Sequence, residues 1–72
     1  MTEIFQLYDR VESLVDLPAF GVKAGAVGTI VDTHPGGAFE VDFGLDASGN
    51  IVTAGLDASE IIAHRADVKQ AA

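Results

Sequence analysis

Residues 38–43 read Ala-Phe-Glu-Val-Asp-Phe, and this short run decides the fold class. Phe39, Val41 and Phe43 fall on one side of an extended chain, Glu40 and Asp42 on the other, which is the period of two expected of a half-solvated strand. A helix would scatter the same apolar residues around its surface. Just upstream, His34-Pro35-Gly36-Gly37 is turn chemistry, and Ala26 to Asp32 (AVGTIVD) is β-branched and almost uncharged. The two runs therefore predict a β-hairpin. Gly28 interrupts its first arm, and a glycine there marks a bulge, a bend or the close approach of another backbone.

Further strands follow on both sides. Arg10 to Val15 carries Val11, Leu14 and Val15 and is halted by Asp16-Leu17-Pro18, as a first strand and its exit would be. The loop from Leu17 to Gly25 holds Pro18, Gly21 and Gly25, with Lys23-Ala24-Gly25 read as a tight turn. After the hairpin, Gly44 to Asn50 is a turn-rich loop and Ile51 to Ala54 a fourth strand. Asp57-Ala58-Ser59-Glu60 places an acceptor three positions before Glu, a loose capping box for one helical turn, and Ile61 to His64 can close the sheet as a fifth strand. Thr2 could cap a helical turn over residues 1–8, or those residues could form an extended lead-in; residues 67–72 are read as a frayed tail. The expected fold is all-β: one small SH3-like antiparallel barrel of about five strands spanning residues 1–72, with a short helical turn before the last strand. Gly25 and Gly28 are its structural glycines. An OB-fold would need a longer helix between strands three and four than GLDASGN can provide.

Composition narrows the function. The 72 residues are 49% apolar, enough for one folded core, and contain no cysteine, so disulfides and thiolate metal sites are excluded. Four basic against eleven acidic side chains give a net charge of −7, which repels nucleic-acid phosphates and anionic lipid surfaces. Met1 to Tyr8 shows no targeting signal, and a cytoplasmic protein is expected. A core this thin leaves monomer and symmetric homodimer both open.

Candidate chemistry is sparse. No GxSxG-like elbow surrounds Ser13, Ser48 or Ser59, and the threonines fall on strands or turns. His34 and His64 have Asp32 and Asp67 near them, yet two imidazoles without HExxH spacing or a third dedicated ligand make a poor metal site. Gly25, Gly28, Gly36 and Gly37 are followed by no GKS or GKT, so they are assigned to backbone geometry and not to a phosphate cradle. No catalytic, cofactor or metal residue is assigned. What survives is an acidic surface able to steer a basic protein partner. Phe20, in the long loop, is its candidate apolar anchor, with plugging one end of the barrel as the competing role; Glu40, Asp42 and Asp46 are its candidate carboxylates.

A family resemblance joins these readings. Leu7-Tyr8-Asp9-Arg10-Val11, Leu14-Val15-Asp16-Leu17-Pro18, Gly21-Val22-Lys23-Ala24-Gly25 and Val27-Gly28-Thr29-Ile30-Val31 together resemble an uncharacterised family of short bacterial proteins, a domain of unknown function. Its pattern is roughly LYDxVxLxxDLPxxGLKAGDxGTVV, and the likeness runs over residues 7–63. Ala26 stands where that family usually has Asp, and Asp57 near its usual Pro. More distantly, Gly25 and Gly28 look like the strand-turn of KOW modules, the nitrile hydratase β-subunit and the variable chain of ferredoxin-thioredoxin reductase. The short-family resemblance implies a non-catalytic partner of the antitoxin or immunity type. The distant ones imply an accessory subunit of a metalloenzyme, or a nucleic-acid-associated module that the charge opposes.

Overall fold

The protein is described by a computed structural model covering residues 4–64; the Thr2 cap, Asp67 and the tail at 67–72 lie outside the described residues. Five strands form: β1 (Arg10–Ser13), β2 (Val27–His34), β3 (Ala38–Leu45), β4 (Ile51–Asp57) and β5 (Ile61–Ala63). Two 3-10 turns, Pro18–Phe20 and Ala58–Glu60, complete the described elements. All ladders are antiparallel, and the strands lie in one sheet in the order β4-β3-β2-β1-β5. The all-β class, the five strands and the helical turn before the last one are those the sequence predicts.

No ladder joins β4 to β5 among the described residues, yet only Ala58–Glu60 separates them. Laid flat, four strand spacings would hold these two strands about 19 Å apart. Three 3-10 residues rise only about 6 Å. The sheet must therefore curl enough to bring the Asp57 end of β4 near the Ile61 start of β5.

Glycine and two register shifts accompany the curl. A Cβ at Gly28 would lie 2.6 Å from Val41 Cγ1 and 2.8 Å from the Asp42 carbonyl oxygen, so β2 and β3 close to a separation that admits only hydrogen there. The bulge falls elsewhere on β2, at Val31, between the Ile30↔Val41 and Asp32↔Glu40 pairs. A second irregularity on β3 lies between the Asp42↔Thr53 and Leu45↔Ile51 pairs, where Gly44 has φ +93°. Gly25, also at φ +93°, occupies the third position of the Lys23–Ala26 turn, closed by an Ala26 N–H to Lys23 carbonyl bond of 3.0 Å.

Val11, Ile30, Val41, Leu56 and Ile61, one from each strand, make the buried core. Phe5, Val15, Leu17, Phe39 and Phe43 pack around it half-buried, and Phe5 meets Phe39 edge-on at 5.7 Å. Ser13 is buried with them. Its hydroxyl donates to the Val15 carbonyl at 2.6 Å and accepts the Val15 N–H at 3.2 Å, which satisfies the group locally.

Three strands run past their sequence signals: β2 to His34, β3 to Leu45 and β4 to Asp57. Asp32, Thr33 and His34 are exposed, but their backbones pair with Glu40, Phe39 and Ala38, so the ladder continues where the apolar pattern stops. Residues 4–9 are neither helix nor strand. They make a turn at Leu7–Tyr8, where Tyr8 has φ +74°, tied to β2 by Tyr8 N–H to Ile30 carbonyl and Ile30 N–H to Asp9 carbonyl bonds of 2.7 and 3.0 Å.

The turn before β5 is a complete capping box: Asp57 accepts the Ser59 N–H while Glu60 accepts the Asp57 N–H at 2.9 Å. The Ser59 hydroxyl, 2.8 Å from Asp57, and then the Ser59 N–H at 3.3 Å hold this carboxyl below its ordinary 3.8. A depressed acid takes up its proton later in the folded chain than in the unfolded one. Its contribution is therefore present above about pH 4 and lost as pH falls through the folded value. Asp57→Asn is expected to lower the melting temperature at neutral pH and to flatten its fall below about pH 4, so that the two curves converge in acid. Parallel wild-type and variant melting curves across that range would contradict the assignment.

Candidate functional site

The loop after β1 is a built structure. Leu17 and Val22 exchange both backbone bonds, at 2.7 and 3.2 Å, and the Asp16 carboxylate accepts the Ala24 N–H at 2.9 Å. Between them Pro18 opens the 3-10 turn at a position where its missing N–H costs nothing. Gly21 ends it with φ +71°. Closed in this way, the loop holds Phe20 on the surface with 48% of its area exposed.

Phe20 borders a cleft of about 300 Å³ whose apolar lining is completed by Val22, Ala26, Phe43, Leu45 and Val52, and whose charged residues are Lys23 and Asp46. The cleft thus lies where the loop after β1 faces the end of the β3–β4 hairpin. A second cleft, of about 230 Å³, shares Phe43 and is lined by Arg10, Gly28, Thr29, Asp42 and Gly44 among others. Leu45, in the lining, is 68% exposed, and Ile51, which pairs with it across the hairpin, is 67% exposed.

The four residues singled out from the sequence are divided among three places. Phe20 and Asp46 share the larger cleft, Asp42 lines the smaller one, and Glu40 stands apart with His34. Each carboxylate also shapes its own surroundings. Asp46 Oδ1 accepts the N–H groups of Ser48 and Asn50 at 2.9 and 3.0 Å, fixing the β3–β4 loop. Asp42 Oδ1 accepts the Gly44 N–H at 2.8 Å and pins the β3 irregularity. Glu40 is half-buried, and its Oε1 lies 3.0 Å from His34 Nε2 across the β2–β3 hairpin. His64 Nδ1 meets Glu12 Oε2 at 2.6 Å. The two imidazoles thus serve different carboxylates, and no group of three metal-capable side chains gathers among the described residues. Nor is any helix there long and apolar enough to cross a membrane.

Sequence reasoning passed over Phe43, Leu45, Ile51 and Val52 as cleft and rim residues. Leu45 carried a usable signal, being a lone large apolar residue between Gly44 and Asp46 in a loop with no core to face. The Glu12–His64 contact, 52 positions apart, carried none.

Five antiparallel strands in one sheet, with a mostly apolar cleft that carries Asp46 and Lys23, define a small all-β domain. The chain belongs to the family described as Domain of unknown function (DUF4926), whose profile matches residues 7–63. No curated protein and no solved structure matches it.

Proposed function

We propose that this chain is a non-catalytic protein-binding module, of the antitoxin or immunity type, that docks on another bacterial protein and masks it. The observation that carries the reading is the exposed Phe20 at an apolar cleft shared with Asp46, on a chain of net charge −7. An aromatic held in a hydrogen-bonded loop supplies binding energy at small ordering cost, and the chain's net negative charge speeds encounter with a basic partner. The hydroxyls of Ser13 and Ser59 are engaged in a strand-end turn and a cap, which favours binding over turnover.

Co-expression with the product of the adjacent gene tests this. The wild-type chain is expected to co-purify with it in stoichiometric amounts. Phe20→Ala should fold normally, because the ring is half exposed, and should weaken the complex at least about tenfold. A chain that stays solitary, or a complex indifferent to Phe20, would sink the proposal.

A further inference from the structure

The sheet has two outer strands of unequal character. β5 is three residues long, whereas β4 has seven. Strand geometry leaves alternate N–H and C=O groups of β4 directed away from β3. Among the described residues no backbone bond joins Ile51–Leu56 to anything except β3, and only the Asp57 N–H is taken, by Glu60. Natural edges are usually blunted by lysine, proline or inward charge. The run Ile-Val-Thr-Ala-Gly-Leu at 51–56 has none of these.

Position and charge say what fits. Val52 of β4 lines the cleft with Phe20 and Leu45, so a chain laid along this edge passes the cleft. Asp46 precedes the strand and Asp57 ends it, both exposed, while the strand between is uncharged. A second copy would bring a further −7 to the same place. A cationic extended segment meets opposite charge at both ends.

We propose that the outer edge of β4 is a strand-addition site. It takes a short extended segment of a basic partner protein as a sixth strand, with lysine or arginine toward Asp46 and Asp57 and one apolar side chain in the Phe20–Leu45–Val52 cleft. This rests on the protein-binding reading above and specifies its partner. Main-chain bonds along the edge supply affinity, and the cleft and carboxylates supply selectivity.

The test uses the peptide acetyl-Lys-Val-Thr-Val-Thr-Val-Lys-amide, a version with glutamate at both ends, and a version N-methylated at alternate residues. Amide hydrogen exchange across the protein is the readout. The basic peptide is expected to slow exchange at the outward amides of Ile51–Leu56 at least tenfold. Glutamate ends should weaken binding about tenfold, N-methylation should abolish it, and Ile51→Lys, at an exposed position, should weaken the basic peptide by a similar factor. Protection that instead grows with the protein's own concentration would assign the edge to a second copy and overturn the proposal. So would binding that shifts Phe20 and Leu45 but leaves the β4 amides unprotected and tolerates N-methylation. If the adjacent gene product binds in a Phe20-dependent manner while β4 exchanges freely in that complex, strand addition fails and the protein-binding reading stands; absence of any complex removes that reading itself.

Discussion

Gly28→Ala is expected to destabilise the domain by about 3 kcal/mol, the upper range for forcing one extra methyl into packed structure. The new Cβ meets two obstacles at once. Val41 Cγ1, 2.6 Å away, belongs to a fully buried β-branched side chain whose χ1 is restricted, so it has little room to swing aside. The Asp42 carbonyl oxygen, at 2.8 Å, belongs to the backbone of β3, and moving it means parting β2 from β3 beside the Thr29↔Asp42 pair. Phe43 Cδ1 at 3.0 Å closes the third side and links the damage to both clefts. Urea unfolding should show a lower midpoint with little change in slope. A variant within about 0.5 kcal/mol of wild type would mean that the close approach is not real, since that is the usual spread for a harmless surface change.

Ile30→Ala should cost about as much, 3 to 4 kcal/mol, by the opposite route of emptying the core. Ile30 has no exposed surface and pairs with Val41, with the Val31 bulge immediately after it. Collapse around the lost atoms is hindered because both backbone groups of Ile30 are already committed to the turn at residues 4–9, through Tyr8 and Asp9. The cavity therefore persists. In a domain of this size a loss of that order is a large share of total stability, and the variant is expected to be partly unfolded at 37 °C. Ile30→Val, which removes one methyl group, should cost only about 1 kcal/mol. Circular dichroism melts of the three proteins check the order; a Val variant as damaged as the Ala variant would point to a shape requirement in place of a volume one.

What the sequence made legible, and what it hid, follows from how each interaction is encoded. Strand β3 was readable because burial writes a period of two directly into Phe39, Val41 and Phe43. The Asp57–Glu60 turn was readable because a capping box is local. Gly28 announced a constraint without saying which kind, since a bulge and a close approach demand the same small residue. The bulge itself sits at Val31, a residue with no special preference for it. The cleft was half visible: Phe20 stood out in its loop, but its neighbours Leu45 and Val52 arrive from another hairpin. Such contacts depend on curvature, which no short stretch records. The His34 partner of Glu40 was hidden for a similar reason, because alternation assigns a face and not the imidazole across the hairpin.

The ladder between β1 and β5 joins Val11 to Ala63 and Ser13 to Ile61, so one flank of the first strand is filled only by the last. During synthesis β1 precedes the other four described strands, and that flank is covered only once β5 has been made. Until then Val11 lacks Ile61, its packing companion from β5. A nascent chain stalled before residue 61 thus leaves that flank of β1 open, and the domain forms only once β5 is available, in a single cooperative step.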